Sequence, residues 1–471
     1  MHTKTNYDVA IIGAGVIGGA IARELSRYDL EVIILDKEND VCIGTSKANS
    51  AIVHAGYDPM EGSLMAKLNV EGNALFETLC QELSVPFKRN GSLVLAFDDQ
   101  ELKLLEVLRK RGVENGVPDL EILSKETLFE KEPHVNPEVK GALYAKTGGI
   151  VDPMLLTISL VENAVENGVD CLLNFNVDSI ERENEGYKIF SASGEVVAKY
   201  VINAAGIYSD KIHNMVATPS FEIKPLRGQY FLLNKSQGEV VRSTLFPCPG
   251  KSGKGILVAP TVHGNVLLGP GSDSALSKED LTPTDEVLHQ TKIAAQRLVP
   301  SFSTKHSIRT FVGLRATADV DDFIIEEVAE ALGFIDVAGI KSPGLTAAPA
   351  IARYTVSLLK NRGLTLEKDE SFNPMVKRRL AMDMTTDELS DKISKNPLYG
   401  KIICRCENVT EGDIIDSIRR TPGAVTTHGV KRRCRAGMGR CQGNFCGPKV
   451  QEILARELGV TIESTVHDRN K

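Results

Sequence analysis

Four cysteines near the end of the chain have the spacing of metal ligands. Cys404 and Cys406 stand one residue apart in ICRCENVTEGD, and Cys441 and Cys446 stand in GRCQGNFCGP. Thiolates bind zinc and iron–sulfur clusters, and four of them satisfy either centre by number. The segment therefore predicts a metal centre. A fifth cysteine in the same segment, Cys434, leaves the choice of ligands open, and an unmetallated fold is the remaining alternative.

A glycine-rich turn near the start of the chain could hold a dinucleotide. The motif GAGVIG follows the apolar run YDVAII and precedes a helical pattern. Its glycines would let the backbone approach a pyrophosphate, which binds the free N–H groups of the helix N-terminus. Asp36 ends the next apolar run, where a carboxylate can accept a hydrogen bond from a ribose hydroxyl. The predicted contacts, to FAD or NAD alike, are Gly13, Gly15, Val16, Ile17, Gly18, Asp36 and Lys37. Glycines used only for close packing are the alternative.

The elements that must position these residues indicate an α/β protein, α+β overall. The strand–helix–strand opening implies a parallel sheet, because parallel neighbours need a crossover connection. Later segments from 223 to 337 are rich in β-type runs. Helical patterns are predicted at 63–83, 99–116, 152–167 and 347–361.

Composition narrows the class of protein. The chain has 471 residues, which favours two or three domains, and a net charge of −7, which gives no reason to expect nucleic acid as a partner. Nine unevenly spaced cysteines are not a secreted disulfide framework. We find no signal peptide or membrane span in the sequence and expect a cytoplasmic protein. From 401 to 471 the chain carries 13 Lys/Arg against 8 Asp/Glu, so the tail is basic.

The body of the chain resembles FAD-dependent oxidoreductases of the D-amino-acid-oxidase-like superfamily. Within it, the chain is most similar to glycerol-3-phosphate dehydrogenases and L-2-hydroxyglutarate oxidases. The matching segments include TSKANSAIVHAGYD, GSLMAKLNVEGN, VINAAGIYSD, PLRGQYF, VGLRATAD and VAGIKSPGLTAAPAIA. The resemblance implies a Rossmann-type FAD-binding domain and a discontinuous, antiparallel β-rich substrate domain. The implied ranges are 1–85, 145–215 and 310–361 for FAD, 86–144 and 216–309 for substrate, and 362–400 for a linker or wrapping arm.

The same resemblance implies roles for individual residues. His54 would accept the substrate hydroxyl proton, a task suited to an imidazole at neutral pH, and Arg315 would bind the substrate anion. The alternatives are a histidine that only packs on the flavin and an arginine paired with Asp319. The implied FAD contacts are Ser46, Asn49, Ser50, Ala205, Gly206, Gly313, Gly339, Lys341, Ser342, Gly344, Leu345 and Thr346.

The tail, 401–471, resembles the small helical BFD-like [2Fe–2S] domain, although its second cysteine pair is CxxxxC where the small ferredoxin-like form has CxxC. The resemblance favours a [2Fe–2S] cluster over zinc, with one helix between the two pairs and Cys434 as a bystander. The basic run 431–440 is expected to favour the anionic centre and to dock an acidic redox partner.

Taken together, these features predict an enzyme that oxidises glycerol 3-phosphate to dihydroxyacetone phosphate by hydride transfer to FAD. Electrons would leave through the cluster to a partner subunit, either a second flavoprotein or a quinone- or NAD-linked acceptor. L-2-hydroxyglutarate or another 2-hydroxy acid is the alternative substrate, and a catalytically idle redox subunit is the alternative of another class. A homo- or hetero-oligomer and peripheral membrane contact are both compatible with the sequence.

Overall fold

The computed structural model describes residues 5–183, 185–250, 255–466 and 468. Its α-helices, in chain order, are α1 Val16–Leu25, α2 Leu64–Glu82, α3 Asp99–Glu114, α4 Lys125–Lys131, α5 Pro153–Glu166, α6 Ser209–His213, α7 Asp285–Leu298, α8 Gly344–Arg362, α9 Thr386–Lys395, α10 Glu411–Arg419, α11 Thr427–Cys434 and α12 Gly447–Leu458.

The strands begin and end as follows: β1 Asn6–Ile12, β2 Val32–Leu35, β3 Ile52–Val53, β4 Phe87–Lys88, β5 Ser92–Ala96, β6 Leu120–Ser124, β7 Gly141–Ala145, β8 Gly149–Val151, β9 Asp170–Leu172, β10 Ser179–Glu183, β11 Gly186–Ser191, β12 Gly194–Asn203, β13 Ile223–Leu233, β14 Thr244–Pro247, β15 Leu257–Pro260, β16 Val266–Ser274, β17 Ser307–Ala318, β18 Ile324–Glu327, β19 Phe334–Ala338, β20 Ile402–Cys404 and β21 Val409–Thr410.

One sheet has a parallel centre and carries the glycine turn. Strand β1 pairs in parallel with β2 on one side and with β12 on the other, and β9 and β19 extend this parallel core. Strands β10, β11 and β18 add antiparallel edges. Helices α1, α2, α5 and α8 pack together over one face, where β-branched and aliphatic side chains form the largest core cluster. The predicted α/β class is confirmed.

A second sheet is almost wholly antiparallel, in the order β17-β13-β16-β15-β14-β5-β7-β6. Its single parallel pair joins β5 and β14, which come from separate stretches of the chain. The expected discontinuous, antiparallel architecture is therefore observed. Its boundary differs from the sequence interpretation, because β17 (Ser307–Ala318) belongs to this sheet and crosses the position 309/310.

The predicted helices are present with shifted ends. The helices predicted at 63–83, 99–116 and 152–167 are α2, α3 and α5, capped at their N-termini by side chains of Ser63, Asp98 and Asp152. Helix α8 begins at Gly344 rather than 347, directly after Pro343.

The segment predicted as a linker wraps the FAD-binding side of the body. The backbone N–H of Asp29 donates to Glu367 O at 2.9 Å, and that of Val376 donates to Glu82 O at 2.8 Å. The segment also contains α9, which begins with a capping box between Thr385 and Glu388.

The tail is a small unit with its own apolar core. A two-stranded ladder, β20–β21, leads into α10, and α11 and α12 follow. Two helices, α10 and α11, separate the cysteine pairs, so the prediction of one intervening helix is wrong; Pro422 stands in the turn between them. Among the helices that the structure describes, none combines the length and apolarity needed to cross a bilayer.

Candidate functional site

A cavity of about 520 Å³ opens where the two large sheets meet. Most of the site residues predicted for the body line this cavity. Residues that were not predicted line it as well. The lining residues among those predicted are Gly13, Gly15, Val16, Ile17, Asp36, Lys37, Ser46, Asn49, Ser50, His54, Ala205, Gly206, Gly313, Arg315, Lys341, Ser342, Gly344 and Leu345. Gly18, Gly339 and Thr346 are not on its wall. Volumes of this size are typical of ligand and cofactor sites.

The glycine turn has the close backbone contacts that its motif requires. A Cβ on Gly18 would lie 1.9 Å from Gly13 O, and one on Gly13 would lie 2.4 Å from Ala204 O. Helix α1 then starts at the cavity wall, with its first N–H, on Val16, donating to Ser46 Oγ at 2.9 Å. Gly18 therefore acts through packing, as the basis of the turn rather than as part of the cavity wall.

The cavity fits a dinucleotide at this end. Gly206 has a φ of +58° and no heavy atom within 4 Å of the position that a Cβ would take, so a cofactor can approach the backbone there. Across from it, Asp36 accepts hydrogen bonds from the N–H groups of Ala14 (2.6 Å) and Glu38 (2.9 Å), one on each carboxylate oxygen. Each oxygen keeps lone-pair capacity for a ribose hydroxyl.

Asp36 predicts a pH dependence of cofactor binding. Burial raises the pKa of Asp36 to about 6, although the two backbone N–H groups oppose the shift. A hydroxyl donor favours the ionised carboxylate, so cofactor affinity should be highest well above pH 6 and should fall as the pH is lowered through 6 toward 5. Flavin fluorescence titrations at several pH values would measure it. Asp36→Asn should bind FAD more weakly and lose this pH dependence; an unchanged profile in the variant would contradict the assignment.

His54 is held from several sides. Its Nε2 lies 3.1 Å from Ser342 Oγ, and its backbone N–H donates to Thr346 Oγ1 at 2.9 Å. Its carbonyl oxygen accepts from the amides of Asn69 (3.1 Å) and Asn73 (2.9 Å) on α2. Thr346 does not line the cavity, but it fixes the backbone of the histidine that does.

The α2 segment is among those that match the family, but the sequence analysis predicted no function for Asn69 or Asn73. Asn73 is itself tied down, because Arg89 donates to its side-chain oxygen at 2.8 Å and to its backbone oxygen at 2.8 Å. The sequence does offer a signal for them, because Asn69 and Asn73 stand four residues apart on an otherwise apolar helix face. Both are buried, and buried amides need hydrogen-bond partners.

Arg315 extends from β17 to the cavity wall. Its Nη1 donates to Ser272 Oγ at 2.9 Å, and Gly228 leaves room for the guanidinium, because a Cβ there would lie 3.2 Å from Nη2. No ion pair between Arg315 and Asp319 is found in the described part of the chain. A neighbouring residue missed from sequence, Tyr230, also lines the cavity and shares a 3.2 Å hydrogen bond with Ser50.

The remaining predicted residues lie on the cavity wall or directly beside it. Gly313 lets β17 press on the turn before β3, since a Cβ there would lie 1.8 Å from Ala48 O. Lys341 forms an ion pair with the exposed Asp321 at 3.6 Å. Gly339 has a φ of +64° and turns the chain toward α8. Segments that also line the cavity but were missed include Phe175–Val177, Tyr208, Lys211 and Met215.

The four tail cysteines come together as two pairs. Cys406 Sγ and Cys441 Sγ lie 3.8 Å apart, and the nearby thiol of Cys446 is the main influence that lowers the pKa of Cys404. Two sulfurs on one tetrahedral metal, at bond lengths of about 2.3 Å, lie about 3.8 Å apart. Within the described ranges no three His, Cys, Asp or Glu side chains are placed to hold a single ion. Two close thiol pairs are the arrangement that a two-metal cluster with two thiolates on each metal requires.

Cys434 lies apart from these pairs. It ends α11, is buried, and its thiol contacts Val430 O at 3.3 Å within the helix. Burial raises the pKa of the Cys434 thiol to about 12, which disfavours the thiolate that a metal requires.

The basic run of the tail is largely buried, although Arg440 at its end is exposed. Arg433 reaches Asp40 of the FAD-binding side at 2.6 Å, and Arg432 reaches the same carboxylate at 2.7 Å. Arg435 pairs with Glu407 at 3.0 Å. The guanidinium groups of Arg432 and Arg433 join the tail to the body, a role that the charge pattern of the sequence does not reveal.

Fold and cavity together define an α/β dinucleotide-binding oxidoreductase with a separate cysteine centre. The family model "FAD dependent oxidoreductase" matches residues 8–358, and "BFD-like [2Fe-2S] binding domain" matches 402–456. The chain belongs to the family of FAD-dependent oxidoreductases, as the sequence resemblance predicted, and carries a BFD-like [2Fe–2S] binding domain at its C-terminal end.

Three individual relatives show which members of this family the chain is similar to. The chain is 53% identical, over 464 residues, to a glycerol 3-phosphate dehydrogenase of Caloramator mitchellensis, covering 98% of this chain and 96% of the relative. It is 32% identical over 300 residues to the mitochondrial L-2-hydroxyglutarate dehydrogenase of Homo sapiens, covering 60% and 64%. A solved L-alpha-glycerophosphate oxidase from Mycoplasma pneumoniae with FAD bound matches with a TM-score of 0.76 and 34% identity, over 80% of this chain and 100% of that one.

Proposed function

We propose that the protein oxidises glycerol 3-phosphate to dihydroxyacetone phosphate. The observation that carries the proposal is the position of an imidazole, His54, and a guanidinium, Arg315, on the wall of the cavity that begins at the glycine turn. The relative at 53% identity is a glycerol 3-phosphate dehydrogenase, which supports this substrate. L-2-hydroxyglutarate is the second candidate, because one guanidinium can hold a carboxylate or a phosphate.

The chain's residues would divide the chemistry as follows. FAD, when bound, supplies the acceptor for the hydride from the carbinol carbon. His54 takes the hydroxyl proton at Nε2, where the substrate hydroxyl replaces the hydrogen bond that this nitrogen shares with Ser342 Oγ at 3.1 Å. Arg315 orients the substrate through its anionic group, with Ser272 holding the guanidinium in place.

An anaerobic titration of the purified holoprotein tests the function. Glycerol 3-phosphate should bleach the flavin absorbance, whereas L-2-hydroxyglutarate at the same concentration should not. Bleaching by L-2-hydroxyglutarate alone would identify a 2-hydroxy acid as the substrate in place of glycerol 3-phosphate. Bleaching by neither, with dithionite still reducing the flavin, would favour a catalytically idle redox subunit and overturn the proposal.

Replacing the anion-binding arginine should weaken turnover mainly through substrate binding. Arg315→Met removes a charge-assisted hydrogen-bond donor pair, contributions of about 1.5–3 kcal/mol, so kcat/KM should fall about 10- to 150-fold, with the larger share in KM. Steady-state kinetics with a dye acceptor would measure this. Arg309→Met, on the same strand, is the matched control and should leave KM unchanged.

We further propose that the cluster is [2Fe–2S], bound by Cys404, Cys406, Cys441 and Cys446, and that it passes electrons from the flavin to a redox partner. The two thiol pairs support this ligand set. Such a centre transfers one electron at a time, which suits a route from a two-electron cofactor to a single-electron acceptor.

Two serine substitutions should give opposite spectra. Cys434→Ser should retain the visible absorbance of the cluster beyond the flavin bands, together with its acid-labile sulfide, because the thiol is buried away from the pairs. Cys441→Ser removes one thiolate and should abolish or shift both signals. Loss of the cluster in Cys434→Ser, with Cys441→Ser unaffected, would contradict the ligand set.

A further inference from the structure

The two thiol pairs of the tail differ in their exposure. Cys404 and Cys446 are buried, with 1% and 2% of their surfaces accessible. Cys406 is exposed and Cys441 is half-buried. The centre held by these pairs therefore has an inner side and an outer edge that reaches solvent.

Cys404 and Cys446 are buried in the apolar core of the tail itself, and the body contacts the tail beside the outer pair. Glu407, next to Cys406, is buried between Lys235 of the antiparallel sheet domain and Arg435 of the tail, each at 3.0 Å. Gln442, next to Cys441, contacts Arg309 of β17 at 3.5 Å. These contacts fix the tail against the β13–β17 side of the body, next to the outer pair, where Arg405 and Cys406 remain exposed.

Exposed side chains on that edge are basic or apolar. Arg405 and Arg440 flank the outer thiol pair, and neither forms an ion pair or hydrogen bond with the residues that the structure describes. Phe445, beside Cys446, is 84% exposed, although burying such a ring is worth about 1.5–3 kcal/mol. In the stretches 401–410 and 435–450 the one acidic residue is Glu407, which is buried.

From this arrangement we propose that the outer edge, formed by Arg405, Cys406, Arg440, Cys441 and Phe445, docks an acidic redox protein that accepts one electron at a time. Aromatic residues and arginines are the commonest anchors of protein interfaces, and opposite charge steers the encounter. The basic residues of the tail thus divide by burial: Arg432 and Arg433 hold the body, whereas Arg405 and Arg440 face the partner.

The electron count sets the stoichiometry. Oxidation of one secondary alcohol to a ketone releases two electrons and two protons, so two acceptor molecules are reduced per substrate and the protons pass to solvent. This inference rests on the proposed function for its electron source but not for its binding surface, which can be measured without substrate.

A pair of probes with the same haem and opposite surface charge tests the surface. Native cytochrome c is basic, and its fully succinylated form is acidic. We expect the succinylated form to bind immobilised holoprotein more tightly at low ionic strength, with affinity that falls as salt is added. The double variant R405E/R440E should weaken this binding by about tenfold or more and improve binding of native cytochrome c. Phe445→Ser should weaken succinylated cytochrome binding without changing the cluster spectrum.

K103E/K110E is the matched charge control, because it also reverses two charges, at Lys103 and Lys110, which are exposed on α3. Helix α3 packs on β5, β6 and β7 at the opposite end of the antiparallel sheet. The control should leave binding unchanged. Equal binding of both cytochromes, or equal loss in R405E/R440E and K103E/K110E, would overturn the proposal. A flavin that no substrate bleaches would instead refute the proposed function, since binding is read independently.

Discussion

Replacing His54 with glutamine should lower the rate of flavin reduction by about 10²- to 10⁴-fold, the usual contribution of a positioned general base. Glutamine keeps a polar group near Ser342 but cannot take the hydroxyl proton. The hydrogen bonds to the backbone of residue 54 from Asn69, Asn73 and Thr346 do not depend on its side chain, so the fold and FAD binding should be retained.

Anaerobic stopped-flow measurement of flavin bleaching would give this rate directly, with bound FAD quantified from the same spectrum. His289→Gln, the same substitution at an exposed position on α7, is the control and should bleach at the wild-type rate. A histidine that only packs against the flavin would lower FAD occupancy more than the reduction rate, and that result would remove His54 from the catalytic role.

Replacing Asp40 with alanine should destabilise the docking of the tail by about 3–5 kcal/mol, because it leaves the buried guanidinium of Arg433 without the carboxylate 2.6 Å away, whereas Arg432 keeps its ion pair with Asp468. Asp40 is inaccessible to solvent, and the side chains of Arg432 and Arg433 are 4% and 1% accessible. The ion pairs of Arg432 and Arg433 with Asp40 join α11 to the loop that follows β2. This loop lines the flavin cavity at Asp36.

Hydrogen exchange of tail amides in the Asp40→Ala variant would report this local free energy without assuming two-state unfolding of a multidomain chain. Asp391→Ala is the control, since the pair with Lys395 is exposed on both sides and contributes at most about 1 kcal/mol. Equal protection in the two variants would show that the buried pair does not hold the tail.

Acid should weaken the same contact. Burial alone would raise the pKa of Asp40, but the neighbouring guanidinium groups of Arg433 and Arg432 outweigh it and hold the pKa below its ordinary value. A depressed carboxylate pKa contributes stability above the unfolded pKa near 3.8, and that contribution is lost as the pH falls through the folded value. Tail protection should therefore persist at pH 5 and fail only in stronger acid.

Local sequence determined much of this protein. The glycine turn, its flanking strands, the capped helices α2, α3 and α5 and the four spaced cysteines all follow from turn chemistry, periodicity and residue type within short windows. These signals were sufficient for the α/β class and for the part of the cavity wall at the glycine turn and Asp36, because strand–turn–helix geometry places these residues at the same edge of the sheet. His54 and Arg315 were implied by the family resemblance instead.

Tertiary structure decided what depends on residues far apart in the chain. Thr346 holds His54 across 292 positions, and Arg433 meets Asp40 across 393. Sequence cannot show which charges are desolvated, so a basic run expected on the surface proved to be partly an internal contact. Which thiol pairs with which, and which pair faces solvent, likewise follows only from packing the tail helices against the body.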